Sequence, residues 1–320
     1  MQSRALEVPR GRQFAWRQYL VYIGFVALFL FFAVTLRDSG FTSTNNLLNI
    51  ARQTAIIATM AVAMTFVIAA GQIDLSVGAV AGLASVTTAL TIARFGPIAG
   101  ILVGLLTGLV VGAFNGLLVT RLVIPSFLVT LGMMGVARGA AMWITDTAPV
   151  PILDQRYNAV FGSGSLGPIP SLLIWIVLIT VIGAVVLRKT AYGRQVLATG
   201  GNERAARFSG VNTSRIGFLV LTVSGVVAAL AGMLYAGRLQ SGRFQWGEGD
   251  ELSVIAAVVL GGTSLFGGSG SVVGSVLGAL LIGVVNNGLI LMGLETSQQI
   301  IIRGGIIIIA VALASRKYAS

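Results

Sequence analysis

The chain has no cysteine and no histidine. Disulfides and thiol nucleophiles are therefore excluded, as are the usual zinc and copper sites and every Ser-His-Asp arrangement. No metal and no cofactor is expected. Charge is scarce as well: Asp, Glu, Lys and Arg make up 10% of 320 residues, against roughly 25% in soluble domains. A phosphate-cradling G-x-x-x-x-G-K-[ST] loop is also missing. The nearest stretch, GAVVLRKT at 183–190, has Arg188 where the second glycine belongs and sits at the end of an apolar run. No nucleophile–base set is present, so nothing in the chain reads as an enzyme. If ATP drives it, another subunit supplies the nucleotide site.

Apolar residues are abundant, at 56% of the chain with a mean hydropathy of +0.92. This composition predicts an all-α, polytopic membrane protein in contact with lipid. A net charge of +11 would suggest nucleic acid in a soluble protein. In a membrane protein it marks cytoplasmic loops, and no nucleic-acid partner is expected. A span needs about 20 apolar residues. That measure gives ten spans, at 19–36, 51–70, 76–94, 98–119, 126–145, 171–187, 217–237, 252–266, 271–291 and 299–314. With both termini inside, the inner segments (1–18, around Arg121, 188–216 and 315–320) carry 13 basic residues and the outer ones five. The bias has the expected sign. Residues 19–314 thus form a membrane domain between two short inner tails. The first apolar run exceeds a signal-peptide core and lacks a small-residue cleavage site, so it reads as a retained span.

Two loops stand out. The inner loop 188–216 carries six positive charges and one negative. Within it, Glu203, Arg204, Ala205, Ala206 and Arg207, followed by Gly210, read as a short helix closed by glycine. Such a helix can serve as a lever for a motor protein. The outer loop 146–170 holds four prolines and three glycines, which stop helices and shape an exposed surface. It could dock an outer partner, with Asp154 and Arg156 as ion-pairing candidates, or be a passive connector.

Gly100, Gly104, Gly108, Gly112 and Gly116 recur every fourth residue. They line one helix face, and in lipid such a face lets another helix approach closely. Gly270, Gly274 and Gly278 repeat the spacing. Each stripe runs toward asparagine: Asn115 in the first, Asn286 and Asn287 in the second. Asp74-Leu75-Ser76-Val77 precedes the first stripe and Glu251-Leu252-Ser253-Val254 the second, one near each side of the membrane. An inverted repeat of spans two to five in spans seven to ten would give this, with a substrate path at the interface. Asp74, in GQIDLSVG, is either a hinge on that path or a cap on the next helix. Arg138 and Arg303 lie in apolar sequence and call for a carboxylate partner or an escape to the interface. Asn45, Asn46 and Asn49 line an entrance or end an interfacial turn.

GQIDLSVG at 71–78, NGLLV at 115–119, ERAARFSGVN at 203–212 and VVLGGTSLFGGSGS at 258–271 together resemble the membrane permease of bacterial monosaccharide ABC importers, of the ribose, xylose and galactose type. The resemblance runs from about residue 45 to the C-terminus. It implies a type II-like permease fold of about ten spans in the inner membrane, paired with a second permease chain. It also implies a cytoplasmic ATP-binding subunit and a periplasmic sugar-binding protein. By that resemblance 203–210 is the coupling helix: Ala205, Ala206 and Gly210 fit its pattern, and Arg204 replaces its glutamate. Gln72 stands where the family usually has a second glycine. A sugar path needs hydrogen-bonding side chains, because each buried hydroxyl needs a partner. Gln72, Asp74, Ser76, Asn115, Asn286 and Asn287 are the candidates. The competing readings are a permease for nucleosides or branched-chain amino acids, and an ion-coupled transporter, which would want more titratable groups in mid-span.

Overall fold

The computed structural model describes residues 20–315; the expected inner tails fall outside that range but for its last residue. Ten helices lie where spans are predicted: α1 (Leu20–Thr35), α2 (Thr44–Ala69), α3 (Val77–Phe95), α4 (Pro97–Arg121), α5 (Ser126–Thr145), α7 (Ser171–Lys189), α10 (Thr213–Leu239), α11 (Asp250–Leu260), α12 (Val272–Leu291) and α13 (Thr296–Ser315). The short helices α6 (Gln155–Asn158), α8 (Ala191–Gly201) and α9 (Glu203–Phe208) lie in the two long loops. Among the described residues, seven helices (α2, α3, α4, α5, α7, α10 and α12) are long and apolar enough to cross a membrane.

Side-chain caps open three of these helices, α2, α10 and α12. Ser43 accepts the Asn46 amide and Asn212 the Arg215 amide, so α2 and α10 begin at 44 and 213 instead of the predicted 51 and 217. α3 and α4 are joined by Gly96 alone, at φ +83°, with Pro97 opening the next helix. Glycine takes that backbone without strain, and proline fits the first helical position.

The predicted span 252–266 is the clearest departure. Only eleven residues of α11 are helical, about 16 Å at 1.5 Å per residue, roughly half the hydrocarbon thickness. The segment before it makes up the length. Added Cβ atoms would place Gly242 against Ser85 and Ala89, Gly82 against the Phe244 and Trp246 carbonyls, and Gly78 against the Gly247 carbonyl. The stretch 242–247 therefore runs beside α3 from about residue 89 to 78, another ~16 Å. This crossing is part irregular turn and part helix. Irregular backbone is tolerated at membrane depth only where protein or a cavity surrounds it.

α2, α3 and α10 form the buried centre, whereas α4, α5 and α7 turn most of their surface outward. α3 packs on α4, α5 and α10; α11 packs on α12, α13 and α2. α4 lies on α10, and α12 lies on α2. Exchanging α2–α5 for α10–α13 maps this packing onto itself. With α7 as the one long helix between the two sets, the second begins from the opposite side, which is the arrangement of an inverted repeat.

All five glycines of the first stripe are buried. A Cβ at Gly108 would overlap the Gly225 carbonyl, one at Gly112 would lie 2.7 Å from the Leu221 oxygen, and one at Gly116 2.9 Å from the Phe218 oxygen, all on α10. Gly100 faces Thr88 and Ile92 of α3, and Gly104 faces Thr88 and Met233. Gly274 and Gly278 of α12 meet the Gly261 and Ala257 carbonyls, and Gly270 touches Ala69 and Thr65 of α2. Gly108→Leu should therefore force α4 off α10 and cost at least the ~1–3 kcal/mol typical of overpacking. Gly24→Leu, at a position with open space around it, should be tolerated. Thermal unfolding of both variants in detergent checks the pair; equal stability would contradict the close contact.

Candidate functional site

From Ala70 to Ser76 the chain leaves helical geometry; side chains of α5 take up freed backbone groups, and side chains of α4 and α10 bond the polar side chains of the turn. The Ile73 amide donates to the Ser126 hydroxyl and the Leu75 amide to Thr130, both on α5 at 3.0 Å. Asp74 is 1% exposed. One of its oxygens accepts the Ser76 amide at 2.9 Å and the Ser76 hydroxyl at 2.6 Å. The other accepts the Ser224 hydroxyl of α10 at 2.7 Å. The Asn115 amide of α4 donates to Ser76 at 3.1 Å. Asp74, Ser76 and Asn115 thus share one buried knot that binds the head of α3 to α4 and α10.

The other path candidates lie elsewhere. Gln72 is half-buried beside the knot. Asn287 exchanges two 2.9 Å hydrogen bonds with Asn46. The Asn286 oxygen is buried without a partner. An open cavity of about 510 Å³ lies at the start of α2, lined by Asn45, Asn46, Asn49, Arg52 and two serines. The repeat has diverged at its second copy: the Ser253 hydroxyl and one Glu251 oxygen are buried with no hydrogen-bond partner.

The polar loop 188–216 is built by three successive caps. Thr190 accepts the Gly193 amide, Asn202 the Ala205 amide and Asn212 the Arg215 amide. α9 lies where a short helix is predicted; the eleven-residue α8 before it is not expected from the sequence. Glu203 and Arg207 pair at 2.7 Å, and both bond Thr213 at 3.1 Å, which fixes α9 to the head of α10. Ala206 faces inward, Arg204 and Ala205 face outward, and Gly210 turns the chain at φ +84°. Phe208 is 93% exposed. Tyr192 stacks on Phe66 of α2 with ring centroids 6.2 Å apart, and burial pushes its phenol up to about 12.

α8 ends on bare backbone. A Cβ at Gly200 would overlap the Ala69 carbonyl and stand 2.8 Å from the Gly268 nitrogen. The Gly268 amide itself donates to the Ala69 carbonyl at 3.0 Å. The end of α8, the end of α2 and the 261–271 turn meet here without side chains between them.

The loop 146–170 is more ordered than its composition suggests. Strand β1 (Val150–Pro151) pairs with strand β4 (Ser241–Gly242), and β2 (Ser165–Leu166) pairs with β3 (Ile169–Pro170). Asp154 caps α6 by accepting the Tyr157 amide at 2.8 Å, and Arg156 is exposed. Tyr157, Phe161 and Trp175 stack in series, and the Tyr157 hydroxyl donates to the Met233 carbonyl. Arg138 of α5 bonds Glu248 at 3.0 Å. Arg303 lies in α13, its side chain outside the described part.

Ser224, Ser126 and Thr130 complete the knot, and sequence reading does not single them out. Each is one hydroxyl in an apolar helix, with no spacing to mark it. Ser224→Ala should leave a buried carboxylate oxygen without its donor, at about 1–3 kcal/mol. Thermal unfolding of the purified protein checks this; an unchanged midpoint would mean the bond carries no weight.

Over residues 46–311 the chain matches the family model described as branched-chain amino acid transport system / permease component. It is 44% identical over 298 residues to the ribose import permease protein RbsC of Bacillus subtilis (strain 168), covering 92% of each chain. It is 38% identical over 317 residues to the RbsC of Escherichia coli (strain K12), 96% of this chain and 98% of that one. The L-arabinose transport system permease protein AraH of Escherichia coli (strain K12) is 38% identical over 299 residues, 92% of this chain and 90% of its own. No solved structure matches the chain. With the match spanning most of its length and these relatives aligned nearly end to end, the protein belongs to the branched-chain amino acid transport system permease component family and is a multi-pass membrane transport component.

Proposed function

We propose that the chain is the permease subunit of an ATP-driven monosaccharide importer in the bacterial inner membrane, with both termini in the cytoplasm. A cytoplasmic ATP-binding subunit drives it, a periplasmic binding protein delivers the sugar at the 146–170 side, and a second permease chain completes the path. The family description names branched-chain amino acids. The relatives at 38–44% identity are named for ribose and L-arabinose, which favours a sugar over an amino acid or nucleoside.

The observation that carries the mechanism is Phe208. An almost fully exposed aromatic ring on a six-residue helix, next to the exposed Arg204, has the form of an anchor for a partner's pocket. The Glu203–Arg207–Thr213 ring holds that helix rigid against α10. The backbone contact at Gly200 then gives the loop a direct hold on the α2 end and the 261–271 turn. With no rotamers in between, a push on α8 has nothing to dissipate into.

Phe208→Ala should weaken binding of the ATP-binding subunit tenfold or more, about 1.4 kcal/mol per decade. Arg204→Glu should also weaken it, while membrane insertion stays intact. Co-purification and titration of the ATP-binding subunit measure both. Full affinity in both variants would take the motor contact away from this loop.

A further inference from the structure

A second group of polar side chains gathers at the broken crossing. Arg138 is twelve residues into α5 and seven from its end, about 18 Å and 10 Å from the two ends. Its guanidinium bonds Glu248, in the turns just after the stretch that runs beside α3. Both remain open, with side chains 27% and 55% exposed. On the same stretch Arg243 and Gln245 are exposed. The Arg243 guanidinium lies over the Trp246 ring, 5.4 Å from its centroid. Trp246 is stacked on Tyr235 of α10 with centroids 6.2 Å apart, and its indole N–H is held by the Ser241 carbonyl at 2.7 Å. Next to Arg138, Gly135 and Gly139 have nothing within reach of an added Cβ, so α5 is uncovered at these two positions.

Exposed charges at this depth cannot face lipid tails; they belong to an aqueous path or to another chain. The residue types narrow the choice. A carboxylate accepts two hydrogen bonds side by side and a guanidinium donates two, and each spacing suits a pair of neighbouring hydroxyls. The fixed aromatic pair gives the passage an apolar wall for the C–H side of a sugar ring. The Arg138 Nε is buried without a hydrogen-bond partner, so the pair is not closed upon itself.

We propose that Arg138, Glu248 and Trp246, flanked by Arg243 and Gln245, form a monosaccharide contact station within the membrane. The proposal rests on the importer reading above and gives the sugar path residues other than the asparagines. Glu248 and Arg138 take the hydroxyls, and the Trp246–Tyr235 stack sets the width of the passage.

The test uses cells carrying the whole importer and a panel of radiolabelled sugars that includes ribose and L-arabinose. Glu248→Gln, Arg138→Gln and Trp246→Leu should each lower uptake about tenfold or more, with the permease still co-purifying with its ATP-binding subunit. The charge-swapped double variant Arg138→Glu with Glu248→Arg separates the roles. A contact station stays impaired after the swap, because Glu and Arg differ in length and the exchanged groups no longer reach the positions the sugar hydroxyls occupy. Recovery of uptake in the swap would show a merely structural bridge, within or between chains, and overturn the proposal; so would full uptake in the single variants. If the wild type imports none of the panel, the importer reading falls first and this station with it.

Discussion

Apolar helices gain nothing from leaving lipid for one another, so their association depends on how closely backbones can approach. That constraint governs this molecule. α4 lies on α10 through glycine, α12 on α11 through glycine, and the irregular stretch 242–247 on α3 through Gly78 and Gly82. In each case the atom met is mostly a main-chain carbonyl, which cannot rotate away as a side chain would. Close contact of this kind gives dispersion energy over a long seam and makes the seam intolerant of added volume.

Tight seams leave the protein free to break helices between them. It does so at 70–76, at 240–249 and at 261–271. Every break exposes amides and carbonyls that lipid cannot satisfy. At 70–76 hydroxyls from α5 accept the amides, and Asp74 draws its donors from its own turn and from α10. At 261–271 the partner is the end of α2, through the Gly268 amide. The breaks and the polar loop are therefore physically continuous: α8 touches two of them at Gly200. A movement imposed on the loop would arrive at places where the backbone is not committed to a helix.

How much of this was legible is clear from particular residues. The stripe at Gly100–Gly116 predicts a close-packed face, and its partner helix could not be named until α10 was seen against it. Glu203–Gly210 predicts a short helix, and the cap at Asn202 and the turn at Gly210 produce it. Asp74 reads equally as cap or hinge; the structure makes it accept its neighbour's amide and also hold α10. Residues 252–266 read as an ordinary span, because hydropathy averages over a window and cannot see that the helix stops at Leu260 and is preceded by turns packed on α3. Arg138 was marked by its isolation in apolar sequence, yet nothing local pointed to Glu248, 110 residues away.

The sequence by itself determined the membrane class, the order of the long apolar helices and the position of the short loop helix. All of these follow from composition and local pattern, where each residue acts through its own transfer energy or its nearest neighbours. Only the tertiary structure decided which glycine faces which carbonyl, which lone hydroxyl completes a buried carboxylate and which loop enters the membrane. Those depend on contacts between segments far apart in the chain, and a side chain's hydrophobicity or spacing carries no address for its distant partner.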